Sequence, residues 1–256
     1  MYWSQFNLGE SALITFQAVY VGPDTVINTA NVEWSTLQID PAPRFTPQSS
    51  FNPASTERRY DPLSPAGVNS YIARSSVSLA APGRLPRTGF APGHVTHVPP
   101  QPTNYAYSAQ SDLWIEIPRL GIQLDIVGIP FNESNEWDLT WLGDQAGWLE
   151  GSAFPTLAGN SALTAHTYLP DGLPGPFVSL GTLRYGDSII VHYAGQKYTY
   201  AVRENRVVRP DSVGYAFQHE EFPWLTLVTC RTFSETSDDY VYRVVVRAVQ
   251  VSVETE

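Results

Sequence analysis

The chain has 256 residues, a net charge of −10 and only 16% charged residues, a length that accommodates one large or two modest domains. Fourteen arginines stand against a single lysine, Lys197. That acidic, lysine-poor balance excludes a phosphate-tracking surface for nucleic acid and an electrostatic hold on an anionic membrane. The one cysteine, Cys230, excludes an intramolecular disulfide and a multi-thiolate metal site.

Residues 1–40 read as the end of a β-domain. Ala12 to Val21 has strand-forming composition, Gly22-Pro23-Asp24 is a turn, and Asn28 to Trp34 is a second strand. Two or three strands cannot bury a sandwich core alone, so the chain is expected to be truncated at its N-terminus. Met1 to Phe6 has neither a basic n-region nor an apolar h-region, and no 18-residue apolar run exists. Neither a signal peptide nor a transmembrane segment is therefore expected within the chain, and an export signal is expected upstream.

Residues 41–109 read as a Pro-rich linker, with 12 of the 21 prolines falling between 41 and 104. A local strand contact between Tyr71–Ala73 and Val77–Leu79 is the only regular element suggested there. Within the linker lies Leu85-Pro86-Arg87-Thr88-Gly89. His94 and His97, also in the linker, are a poor basis for a metal site, and no metal or cofactor is expected.

From Asp112 the pattern changes. Strands are expected at Leu113–Pro118, Ile122–Val127, Glu136–Trp141, 161–167, 187–193, 197–204, 224–230 and 240–251. Ala194-Gly195-Gln196 signals a hairpin between two of them. Short helical pieces are expected at Leu142–Leu149 and Ser212–Glu220. Eight short strands at this density describe an all-β barrel or sandwich over residues 110–256.

Three of these strands carry chemistry at or near their ends: His166, Cys230 and Arg243. A thiol, an imidazole and a guanidinium suffice to attack a carbonyl, move a proton and hold an oxyanion. Side chains alternate along a strand, so Thr226, Val228 and Cys230 share one face, as do Val241, Arg243, Val245 and Arg247. Arg243 and Arg247 are about 13 Å apart along the strand, so only one can sit beside Cys230. His192 is a rival base, but its mid-strand position suits a structural histidine.

Leu227-Val228-Thr229-Cys230, the arginine on the next strand and Thr164-Ala165-His166-Thr167 resemble the sortases, cysteine transpeptidases of bacterial surfaces. The resemblance covers about residues 110–252; Ala165 stands where many sortases carry Gly. It implies a sortase-like eight-stranded β-barrel with Cys230 as nucleophile, His166 as acid and base, and Arg243 as donor to the acyl oxygen or the substrate backbone. It also implies substrate contacts from Thr167 and Thr229. The connection Arg206–Phe222 would receive a Leu-Pro side through Val207, Val208, Val213 and Tyr215. Leu85–Gly89 has the form of the family's sorting motif, Leu-Pro-any-Thr-Gly, and would be cut between Thr88 and Gly89. The partners implied are a sorting-motif peptide, in cis or in trans, and an amine acceptor on the cell envelope or another surface protein. Leu8 to Ala12 followed by Ile27 to Val32 resembles the closing hairpin of β-sandwich repeats in bacterial surface stalks, which points to the cell surface. The alternative is a non-enzymatic surface protein with a degenerate barrel, its Leu85–Gly89 serving another enzyme.

Overall fold

A computed structural model describes residues 26–33, 72–79 and 83–256. The chain divides into two units, Met1–Ala81 and Pro82–Glu256. In the first, β1 (Val26–Glu33) pairs antiparallel with β2 (Ile72–Leu79), from Val26 opposite Leu79 to Glu33 opposite Ile72. The strand expected at Ala12–Val21 and most of the linker before residue 83 lie outside the described residues.

The second unit is a closed barrel. Its strands are β3 (Ser108–Ile117), β4 (Ile122–Ile129), β5 (Ala146–Leu149), β6 (Gly159–Thr164), β7 (Ser188–Tyr193), β8 (Gln196–Val208), β9 (Pro223–Ser234) and β10 (Asp239–Thr255). They run around the barrel in the order β10-β8-β7-β3-β4-β5-β6-β9. The β4–β5 and β6–β9 pairs are parallel, and the others are antiparallel. Closure leaves no strand edge open in the barrel. Tyr193 pairs with Gln196, leaving a two-residue loop of Ala194 and Gly195, both at positive φ, as the tight primed hairpin turns require.

Strand alternation fills the barrel. Leu113, Ile115 and Ile117 of β3, Leu225 and Leu227 of β9, and Val244, Val246 and Ala248 of β10 join Phe177 and Tyr200 in one buried cluster. Burying each large aliphatic side chain contributes roughly 1.5–3 kcal/mol. The intervening residues of β9 and β10 point outward, where water would ordinarily meet them. Here Thr226, Val228, Cys230, Arg243, Val245 and Arg247 are buried as well. Leu85 and part of the β8–β9 connection cover that outer face.

Three expected elements are corrected. Residues 136–141 are not a strand: Trp137 makes one isolated bridge to Phe131, and the strand is β5, inside the piece expected to be helical. Local capture explains the first. The Asp138 carboxylate accepts from both the N–H and the hydroxyl of Thr140, and its carbonyl accepts from the Tyr107 hydroxyl, so no ladder forms. The second piece, Ser212–Glu220, keeps one turn, α1 (Val213–Ala216). Asn160 Nδ2 donates to the carbonyls of Ala216 and Gln218, holding the chain past α1 off the helical path.

Candidate active site

Register brings the three reactive side chains to one end of β6, β9 and β10. Arg243 lies directly opposite Cys230 in the β9–β10 ladder. Arg247 lies opposite Thr226, farther down the same face. Thr164 ends β6 opposite Val228, and its hydroxyl donates to the Val228 carbonyl at 2.8 Å. Thr229 Oγ1 donates to the Ala165 carbonyl at 3.0 Å, so the turn carrying His166 is lashed to the strand carrying Cys230. Behind His166, the Phe177 N–H donates to its carbonyl at 3.0 Å and the Gly175 N–H to that of Thr167 at 2.9 Å. Cys230, Arg243 and His166 are each no more than 2% exposed.

What covers them is the segment 85–89 of the same unit. Leu85, Pro86, Thr88 and Gly89 are buried, and Arg87 alone is exposed. Each position has a physical reason. Leu85 packs against Ala216, Val228 and Val245, with Val208, Val213, Tyr215 and Phe217 around it, and its N–H donates to the Pro210 carbonyl at 2.7 Å. The Pro86 carbonyl accepts from Arg243 Nε at 2.8 Å. The Thr88 hydroxyl accepts from the Cys230 N–H at 2.6 Å. Since Thr229 spends its own proton on Ala165, Thr88 Oγ1 donates to Thr229 Oγ1 at 3.3 Å. Gly89 is where a side chain has no room: a Cβ there would lie 2.6 Å from Thr167 Cγ2. Arg87 turns outward, 3.8 Å from Asp239.

The Thr88 backbone sits against the thiol. Its N–H donates to Cys230 Sγ at 3.1 Å, and its carbonyl accepts from the Thr167 N–H at 2.7 Å. Arg243 reaches the backbone two residues upstream of that carbonyl, its Nη1 being held by the carbonyls of Tyr240 and Tyr242. The partner of the Thr88 carbonyl is thus a backbone amide, a group with no signature in a sequence. Burial pushes the His166 imidazole down to about 4, against a weaker upward pull from the backbone at Thr88 and Leu139. Neither ring nitrogen of His166 has a hydrogen-bond partner. Burial pushes the Cys230 thiol up, opposed by the Arg243 charge and by hydrogen bonds from Thr88. At neutral pH the thiol is protonated and the imidazole neutral, and no hydrogen bond joins them in this closed arrangement.

Other expected contacts sort by strand phase. Val208 is opposite Arg243 and joins the Leu85 cluster with Val213 and Tyr215. Val207 is opposite Val244, on the alternate face; it is exposed and takes no part in that cluster. His192 stacks on Trp114 and pairs with Glu116 and Glu256. Sequence reading missed Tyr240, whose hydroxyl donates to the Phe90 carbonyl at 2.7 Å, and the backbone groups of Tyr168 and Pro210. A cleft of about 550 Å³ opens beside the segment, lined by His166, by the carboxylates of Glu136, Asp138, Asp238 and Asp239, and by the guanidinium groups of Arg84, Arg87 and Arg243. Among the described residues, no group of three or more His, Cys, Asp or Glu is spaced to hold a metal ion.

A closed eight-stranded barrel with Cys230 and Arg243 side by side on its outer face, His166 just past the end of the neighbouring strand and a segment of its own chain laid over them defines a thiol-bearing barrel. The family model for the sortase domain matches residues 115–251, and the chain belongs to the sortase family. Similar solved structures include sortase C-1 from Actinomyces oris, 26% identical over 55% of this chain and 73% of that one, with a TM-score of 0.45. Sortase C from Clostridium perfringens SM101 is 25% identical over 57% of this chain and 73% of that one, with a TM-score of 0.43. Sortase A from Corynebacterium diphtheriae is 23% identical over 57% of this chain and 63% of that one, with a TM-score of 0.47. Comparison with curated proteins gives no match.

Proposed function

We propose that this chain is a cysteine transpeptidase for Leu-Pro-x-Thr-Gly motifs at the bacterial cell surface, and that Leu85–Gly89 is its own substrate. One observation carries the reading: the four defined positions of the motif are buried in the cleft and the free position, Arg87, faces out. A linker crossing a surface by chance has no reason to follow that pattern.

The chemistry divides among Cys230, His166, Arg243 and the Thr167 N–H. Cys230 gives its proton to His166 and its sulfur attacks the Thr88 carbonyl carbon. The Thr167 N–H stabilises the oxyanion that develops on the carbonyl oxygen. Arg243, bound to the Pro86 carbonyl, fixes the motif backbone so that the carbonyl meets the sulfur. The tetrahedral intermediate collapses as His166 protonates the Gly89 nitrogen, leaving residues up to Thr88 as a thioester on Cys230. An incoming amine then attacks the thioester, gives a proton to His166 and frees the thiol.

The test is mass spectrometry of the whole chain with an added amine such as triglycine. The wild type should give a new N-terminus at Gly89 and Thr88 capped by the amine, and Cys230→Ala should give neither. An intact wild-type chain would refute self-processing. If thioester trapping at Cys230 with an added motif peptide also failed in the variant Leu85→Ala combined with Thr88→Val, whose own motif is loosened, the non-enzymatic alternative would stand.

A further inference from the structure

Cleavage between Thr88 and Gly89 separates the upstream chain from the barrel, yet it does not separate Gly89 from the site. The segment that follows is strapped down along its length. The Phe90 N–H donates to the Tyr168 carbonyl at 3.0 Å, and the Phe90 ring lies 5.2 Å from the His166 ring. The Gly93 N–H donates to the Gly172 carbonyl at 3.0 Å and the Thr96 N–H to the Pro170 carbonyl at 2.6 Å. Trp141 Nε1 donates to the Pro99 carbonyl at 2.8 Å. Gly172 is at positive φ, and a Cβ there would lie 2.6 Å from the His94 nitrogen. A backbone approach that close needs glycine, so the strap is seated in a matched groove. Nine residues after Pro99 the chain enters β3 at Ser108 and becomes part of the barrel.

We infer that the amine released by cleavage is held as the enzyme's resident acceptor, so that resealing is a built-in activity and the strap controls whether the acyl group is transferred or returned. The inference rests on the self-processing reading. The forward step breaks the Thr88–Gly89 amide and forms the Cys230 thioester, with the thiol proton passing through His166 to the Gly89 amine. The reverse step is its mirror: the Gly89 amine attacks the thioester carbonyl, the thiol leaves, and the proton returns to Cys230 through His166. Nothing is oxidised or reduced, and the branched thioester is an isomer of the intact chain. A tethered amine acts at an effective concentration of roughly millimolar or above. The surroundings of the acyl bond favour resealing over hydrolysis, because Thr88, His166 and Cys230 are all buried from water. An external amine succeeds only while the first strap residues are lifted.

Because the thioester and the intact chain have the same mass, the test uses a small trapping nucleophile, hydroxylamine, on the full-length chain. Without it, wild type should remain intact over hours. With it, wild type should yield residues 1–88 as the Thr88 hydroxamate and residues 89–256 with a free Gly89. Two strap variants distant from the reacting atoms, Gly172→Ala and Trp141→Phe, should accumulate a free Thr88 carboxylate in water alone, tenfold or more above wild type for Gly172→Ala. Trapping in both variants should also be faster. Wild type cut to the carboxylate in water alone would overturn the inference, since the amine would not be retained. Strap variants that are folded, trapped at the wild-type rate and equally intact in water would overturn it too. A wild type that hydroxylamine leaves uncut would instead refute the self-processing reading on which it rests.

Discussion

At the scale of single residues, the motif's positions are unequal, and magnitudes rank them. Leu85 is 2% exposed and loses most of its contacts if truncated. Leu→Ala at a buried site costs about 2–5 kcal/mol, so Leu85→Ala should slow amine-dependent cleavage at Thr88–Gly89 at least tenfold. Arg87 and Asp239 form a half-exposed pair, and such pairs are worth about 0–1 kcal/mol. Arg87→Ala should therefore change the rate less than about fivefold; a larger loss than for Leu85→Ala would show that the seating has been misread. Cys230→Ala should abolish cleavage, while His166→Ala and Arg243→Ala should each cost on the order of 100-fold. His166 adds a pH dependence. Its imidazole has an ordinary value near 6.5 and is lowered to about 4 in the closed site. Above 6.5 it is neutral whether the site is open or closed. Between 6.5 and 4 the unfolded or opened form takes up a proton that the closed form does not, so stability falls as pH falls through that window. The lowering corresponds to about 3 kcal/mol. Carboxylates contribute to any acid transition, so the informative quantity is a difference. The melting temperature of wild type should drop further between pH 7 and pH 4 than that of His166→Gln; parallel curves would refute the assignment.

At the scale of elements, the β8–β9 connection decides how the Leu85 pocket is held. Arg247 lies on the same face of β10 as Arg243, fully buried, and pairs with Glu220 and with Glu204. Glu204 accepts from the Tyr215 hydroxyl at 2.7 Å, and Tyr215 borders Leu85. Arg247 also stacks over Trp224 and Tyr215. The second arginine of the strand is thus a clamp on the connection that roofs the pocket. Removing one partner of a buried ion pair costs about 3–5 kcal/mol. Arg247→Ala should lower stability on that order and weaken motif seating without touching the reacting atoms. A double-mutant cycle reads this: Arg247→Ala and Leu85→Ala should be less than additive in cleavage rate, whereas full additivity would make the clamp irrelevant to the pocket. Much of this was legible in strand phase. Alternation in 224–230 and 240–249 put Cys230 on one face of its strand and both Arg243 and Arg247 on one face of theirs; the choice between the two arginines came from the family resemblance and from Arg243 lying nearer the start of its strand. The same rule, applied to Val207 and Val208, would have separated them; naming both ignored it. Glu136–Trp141 misled because its mixed apolar and polar residues resemble a half-buried strand, while the Asp138 side chain and the Tyr107 hydroxyl were satisfying that backbone instead. The Thr167 N–H and the Pro210 carbonyl had no signal at all, since every residue except proline carries the same backbone groups.

At the scale of the whole second unit, barrel, motif and strap form a site that is full from within. Cys230 is 2% exposed with the Thr88 N–H donating to its sulfur, and residues 85–89 are part of the chain rather than a ligand at some concentration. Occupancy is set by the tether. With the motif flanked by a strap that enters β3, an added peptide faces a competitor present at roughly millimolar or above. A free Leu-Pro-x-Thr-Gly peptide should therefore acylate the wild-type chain poorly, even where its intrinsic affinity is ordinary. Loosening the internal motif should expose the thiol and admit the peptide together. Leu85→Ala combined with Thr88→Val removes the pocket anchor and the hydroxyl that bridges the Cys230 N–H and Thr229. Threonine to valine keeps the shape and deletes only the hydrogen bonds, so the strap itself should remain seated. In that double variant, alkylation of Cys230 by a small thiol reagent at pH 8 should rise tenfold or more over wild type. The concentration of added peptide needed for half-maximal acylation should fall by a similar factor. If the thiol became accessible but peptide use did not improve, occupancy would not be what limits the site. If neither changed, the internal motif would not be its lid, and the burial of Cys230 would belong to the barrel alone.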